Sequence, residues 1–161
     1  MNGTNSVTNT TSVIWNNTEP TASVFSLGTN GDLNGNGSTY VAYLFSEVEG
    51  FSKFGEYPGN GSTNGPYVYT GFKPAIVITK VVDGSGEWYI HDNAREIDNP
   101  NVNVFKLNRN DADTANAGFY EMDFLSNGFK LRTGNTSINW SGKRFMFWAW
   151  AETPFKYTTG K

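Results

Sequence analysis

The sequence has no cysteine and a single histidine, His91. The first absence removes disulfide scaffolds, thiol catalysis and Cys-based zinc sites. The second leaves no set of imidazoles to hold a metal, and no cofactor is expected. Charged residues are sparse at 17%, with a formal net charge of -3. No dense Lys/Arg stripe offers phosphate neutralisation, so a nucleic-acid partner is not expected. The longest apolar stretch, Phe145–Ala151, is far too short to cross a bilayer. No basic and apolar leader follows Met1, so neither secretion by that route nor membrane insertion is expected.

Gly, Asn and aromatic residues fill the space left by the missing helix formers; aromatics alone make up 16% of 161 residues. Val, Ile, Thr, Tyr, Phe and Trp favour pleated strands, and Gly and Asn favour turns. A chain of this size can bury a core without staples. The expected fold is therefore all-β: an antiparallel sandwich, jelly-roll-like or a partly closed barrel, with long Asn/Gly-rich loops.

Strands are predicted at Ala22–Leu27, Thr39–Glu47, Pro74–Val82, Glu87–Asp92 and Asn103–Leu107, in GEYPGNGSTNGPYVY as strand, long turn and strand, and in the runs FYEMDFLS, GFKLRT and RFMFWAWAE. Turns are marked by Gly28–Ser38, Asn60-Gly61, Asn64-Gly65, Asp83–Gly86, Asn127-Gly128 and Gly134-Asn135. Thr39–Glu47 carries apolar residues on both faces, the pattern of a strand covered on two sides. Asp111–Ala117 alone has mild helical character. Residues 1–21 read as a flexible Asn/Thr-rich arm and 22–161 as the domain.

Gly37–Glu47 aligns with Gly142–Glu152 at a constant offset of 105 positions, Tyr40 over Phe145, Tyr43 over Trp148 and Phe45 over Trp150. The pattern predicts an internal repeat of 22–47 in 128–152. On that reading Trp148 and Trp150 are core residues.

The segments Gly37–Lys80, EWYIHDNAR (Glu87–Arg95), DFLSNGFKLRT (Asp123–Thr133) and AETPFKY (Ala151–Tyr157) resemble, in order, a β-rich domain of tail-fibre and other virion proteins of marine tailed bacteriophages. The resemblance implies a virion location after synthesis in the host cytoplasm, and other virion proteins as partners. It suggests receptor binding by a tail fibre, with a host surface glycan as target and a homotrimer among the open assemblies. A capsid decoration or assembly protein is the alternative. A trimmed C-terminal piece and a stand-alone protein both remain open.

Candidate sites follow from the residues. Asp32, Asn34 and Asn36 alternate before Gly37, as oxygen ligands do at the start of a calcium loop, but Tyr43 stands where a bidentate Glu is needed. That leaves an Asn/Gly turn as the expected reading and no metal site. Glu47, Glu49, Glu56, Glu121 and Asp123 could furnish the paired carboxylates of a polysaccharide-degrading enzyme. Glu152, the repeat partner of Glu47, has no second acid two residues on, so no enzyme is expected. In EWYIHD, Trp88 and Ile90 share one face, Tyr89 and His91 the other. One pair is expected in the core, the other in a wet aromatic surface suited to sugar stacking. Tyr89, His91, Asp92 and Arg95 are the candidate ligand-binding residues, with Asp92 and Arg95 also able to pair across the turn. The sequons at Asn36, Asn60, Asn135 and Asn139 read as turn chemistry.

Overall fold

A computed structural model describes residues 12–115 and 117–154. The fold is all-β and sandwich-like, with nine strands and two short helical turns among the described residues. Strands β1 (Ser52–Pro58), β2 (Tyr67–Tyr69), β3 (Pro74–Val81), β4 (Tyr89–Asp92), β5 (Asn103–Lys106), β6 (Thr114–Ala115), β7 (Met122–Leu125), β8 (Gly128–Leu131) and β9 (Arg144–Ala151) form two antiparallel sheets. One has the order β1-β9-β3-β4-β5-β6, the other β2-β8-β7, and neither closes into a barrel.

The sequence explains the centre of the larger sheet. In β9, Phe145, Phe147 and Ala149 are buried toward the second sheet, while Arg144, Met146, Trp148 and Trp150 take the other face. Trp148 and Trp150 thus lie outside the inter-sheet core in which they were expected. Facing residues of β3 are Val77, Thr79 and Val81, in register with Ala149, Phe147 and Phe145. Small Ala149 opposite Val77 and bulky Phe147 opposite Thr79 keep this layer level. The hairpin predicted around Asp83–Gly86 joins β3 to β4, and Lys80 Nζ bridges to the Gly86 carbonyl at 2.9 Å.

Phe129 of β8 couples the two sheets. Its ring meets Tyr57 edge-on at 6.0 Å and Phe147 at 5.4 Å, while Tyr57 stacks on Phe145 at 5.3 Å. Full burial of each such ring contributes on the order of 2–3 kcal/mol.

Asparagine organises the loops. Helical turns α1 (Gly31–Asn34) and α2 (Thr136–Asn139) are capped by Asn30 and Asn135, whose side chains accept N–H groups two residues on. Among the described residues helical structure is therefore at these turns, and in the 111–115 stretch Thr114–Ala115 instead pairs with β5. Asn139 is fully buried; its Nδ2 reaches Thr133 O at 2.7 Å, Ser62 O at 2.9 Å and Asn60 Oδ1 at 3.0 Å, and its Oδ1 accepts Asn60 N–H at 2.7 Å. Gly61, at φ +66°, supplies the left-handed residue that lets 59–62 wrap this amide.

The chain divides into two compact units between residues 45 and 46, later than the 21/22 boundary read from composition. The smaller unit, described from Ser12 to Phe45, holds α1 and no strand. Neither Ala22–Leu27 nor Thr39–Glu47 is a strand, whereas Arg144–Ala151 is the most heavily paired one. The two halves of the expected repeat are therefore not structural equivalents. Side-chain pattern reports what a segment could bury, but a strand also needs a neighbouring edge. Met1–Thr11 of the expected arm lie outside the described residues.

Replacement of Asn139 by Ala strands one N–H and three acceptors in the loop hub. It is expected to cost about 3 kcal/mol in urea unfolding, against about 1 kcal/mol for the cap change Asn135→Ala. Equal, sub-kilocalorie costs for both would remove Asn139 from this role.

Candidate functional site

The four residues singled out in and after β4 fall into two groups. β4 lies between β3 and β5, and Tyr89 and His91 point into the core, 6% and 0% exposed. They form no wet aromatic surface. Trp88, on the alternative face, is buried as well. Alternation identified which side chains share a face, but both faces of this interior strand are covered.

His91 Nε2–H donates to the Tyr120 carbonyl at 2.7 Å, which fixes a neutral tautomer whose Nδ1 has no partner among the described residues. Burial pushes its pKa down to about 4, only partly offset by the Tyr120 carbonyl. Asp92 and Arg95, by contrast, are joined as expected. Asp92 Oδ1 accepts the N–H groups of Ala94 and Arg95, Oδ2 accepts Arg95 Nε, and Arg95 Nη1 continues to Asp113. They clamp the turn after β4 and leave no room to reach a ligand with their paired atoms.

The calcium-like run does not form a loop. Asp32 and Asn34 lie in α1, about 200° apart around a helical turn. Asn34 Nδ2 is spent on the Gly28 carbonyl, and Asn36 follows beyond the turn. No group of three His, Asp or Glu positioned for a metal exists among the described residues. Among the sequons, Asn60, Asn135 and Asn139 hold turns, caps and the buried hub.

A different place has the geometry of a binding site. β1 and β2 are edge strands of the two sheets, and between them runs a groove in two joined parts of about 620 and 660 Å³. Both parts share Lys53 and Tyr69. The floor is apolar: Tyr57, Val68 and Phe147 are all buried. Gly55 sits over Phe147, and a Cβ there would stand 2.9 Å from the ring, so this strand position keeps the floor clear only as glycine. The walls carry Tyr67 and Tyr69, 45% and 64% exposed. The Tyr67 hydroxyl donates to Asn127 Oδ1 at 2.7 Å, which holds the ring in place.

The edges also present main-chain groups. Ladder bonds from Leu131 N–H to Pro66 O and from Thr70 N–H to Asn127 O turn the peptide groups of Tyr67 and Tyr69 away from β8. On β1, bonds at Phe51 and Gly59 send the groups of Phe54 and Glu56 outward. Glu47 intercepts one of them: its Oε1 accepts Phe54 N–H at 3.1 Å and its Oε2 binds Lys53 Nζ at 2.8 Å. The Lys53 ammonium, with Phe54 N–H, holds the Glu47 carboxyl below its ordinary range. Glu56 pairs with Arg144 at 2.9 Å. Glu121 and Asp123 belong to the other end of the small sheet, where Asp123 pairs with Arg132. Of the five acids considered in the sequence, Glu47 and Glu49 line the same part of the groove and the others lie apart; Glu47 is held ionised and lacks the raised pKa of a general acid.

The groove was missed because its parts come from 47–58, 66–72 and Phe147, with no local motif. The available signal was PYVYTG, a short strand between Pro66 and Gly71 whose alternate tyrosines surround one inward Val68.

The chain belongs to the family described as a domain of unknown function (DUF7483), which it matches over residues 1–154. No curated protein and no solved structure matches it.

His91 makes the stability pH-dependent in a defined window. Above pH 6.5 it is neutral in folded and unfolded chains. Below that the unfolded chain takes up a proton that the core refuses until about pH 4. Its contribution to stability should fall by roughly 1.4 kcal/mol per pH unit, about 3 kcal/mol across the window. Urea titrations at pH 7, 5.5 and 4.5 should show this slope reduced in His91→Gln. Identical slopes would mean that His91 titrates normally.

Proposed function

We propose that this DUF7483 domain is a non-catalytic recognition module of a bacteriophage virion, carried on a tail fibre, and that its β1/β2 groove takes a neutral host-surface glycan. The observation that carries the glycan reading is the pairing of an apolar floor with two exposed tyrosine rings and outward-facing peptide groups. Sugar rings offer apolar C–H faces for stacking and hydroxyls that both donate and accept. Tyr67 and Tyr69 suit the first; the peptide groups of Glu56, Tyr67 and Tyr69 suit the second. Glu47 and Glu56 each have a basic partner, Lys53 and Arg144, and Glu49 adds a carboxylate to the same wall, so the groove offers no excess of positive charge to an acidic ligand. The lowered pKa of Glu47 beside Lys53 argues for binding over hydrolysis at that carboxylate, since glycosidases need one protonated acid. The virion location rests on the resemblance carried by Gly37–Lys80, Glu87–Arg95, Asp123–Thr133 and Ala151–Tyr157.

A glycan array followed by calorimetry on the hits tests the reading. Neutral oligosaccharides should bind, with an affinity nearly constant between 50 and 500 mM salt. Tyr69→Ala should weaken binding about tenfold, the worth of one stacked ring, with an unchanged circular dichroism spectrum. Binding confined to acidic glycans, or indifferent to Tyr69→Ala, would defeat the groove assignment. Release of reducing ends from a bound polysaccharide would replace recognition with catalysis.

A further inference from the structure

The smaller unit ends in a segment that water should not tolerate. Thr39–Phe45, TYVAYLF, contains no charge and alternates β-branched, aromatic and aliphatic residues on both faces. Val41, Tyr43 and Leu44 are 77%, 82% and 72% exposed, and Tyr40 and Phe45 are also exposed. Among the described residues no main-chain hydrogen bond involves 39–44. The Tyr40 hydroxyl ties one end of the segment to α1, donating to the Gly31 carbonyl at 2.7 Å and accepting Gly35 N–H at 2.8 Å. Residues 39–44 are thus an uncharged strand former with unbonded main-chain groups, the kind of edge that pairs with another chain.

The sequence identifies the partner, because the segment is complementary to itself. Laid antiparallel about a two-fold axis at Ala42, each Val41 faces the other copy's Tyr43, and each Tyr40 faces Leu44. Aromatic–β-branched and aromatic–aliphatic pairs are favourable cross-strand neighbours. The smallest side chain falls on the axis, where a residue meets itself. The paired segment itself carries no charge, so no like charges meet. We infer that two copies of this chain dimerise through antiparallel pairing of Thr39–Phe45 in this register, an isologous contact.

Sedimentation of the full chain from 1 to 200 µM should show a monomer of 17.8 kDa passing reversibly to a species of twice that mass. Because the chain has no cysteine, Ala42→Cys introduces its one thiol, and mild oxidation should give a covalent dimer in high yield. Val41→Lys with Tyr43→Lys sets like charges opposite each other and should abolish the dimer. Val41→Lys with Tyr43→Glu sets opposite charges face to face and should restore it. These positions are solvent-exposed in the single chain, so the variants should keep the parent unfolding midpoint. A monomer throughout the concentration range, a trimer, or failure of the opposite-charge pair to recover association would each overturn the register.

Discussion

Phe129 is the side chain through which the small sheet becomes part of the molecule. β2, β8 and β7 contain three or four residues each, too little to persist alone in water. The ring of Phe129 enters between Tyr57 and Phe147, whose strands are held by the long pairing of β1, β9 and β3. Tyr57 and Phe147 then do two jobs, since their other surfaces floor the groove. Core packing and groove shape are consequently set by the same rings. A change that loosened Phe129 would alter the shape of the groove before any groove residue was touched.

The way the strand edges end explains why the groove lies where it does. On β7, Asn99 imitates a neighbouring strand by accepting Phe124 N–H and donating to Phe124 O, beside a bridge from Asn101 to Met122. β6 is only two residues long. β1 is closed at one end by the Val48 bridge and Glu47, and at the other by Pro58, which has no N–H to offer. β2 has no such device over Tyr67 and Tyr69. The groove therefore opens where one edge is half blunted and its neighbour is bare, which leaves main-chain donors and acceptors for a bound molecule.

Legibility in the sequence followed the range of the interactions. Pro74–Val82, Asn103–Leu107 and the Phe145-to-Ala151 run were readable as strands because their own β-branched and aromatic residues favour the extended state. The asparagines before Gly or Ser were readable as turns because an Asx side chain bonds within two or three residues. His91 and Tyr89 were not assignable, since alternation is symmetric about the strand and only the partner sheet defines the inner face. The groove was illegible for a stronger reason: β1 and β2 meet across sheets with no pairing register between them, so no spacing in the chain encodes their approach.

The contrast between Thr39–Phe45 and Arg144–Ala151 carries the same logic one step outward. Both segments are rich in aromatic residues on two faces, yet only the second has strand neighbours on both sides, β1 and β3. A side-chain pattern demands cover without stating its source. Where residues 39–44 find no strand neighbour, the proposed pairing would let a second copy supply one. Two paired copies would also carry two grooves. Against a repeating glycan the second attachment would proceed at an effective concentration far above that in bulk, so weak sites of the stacking kind could hold a particle to a cell surface. A single shallow groove, floored by rings already committed to the core, is a poor anchor. Coupled to a self-complementary strand, as proposed, it would become one element of a multivalent surface.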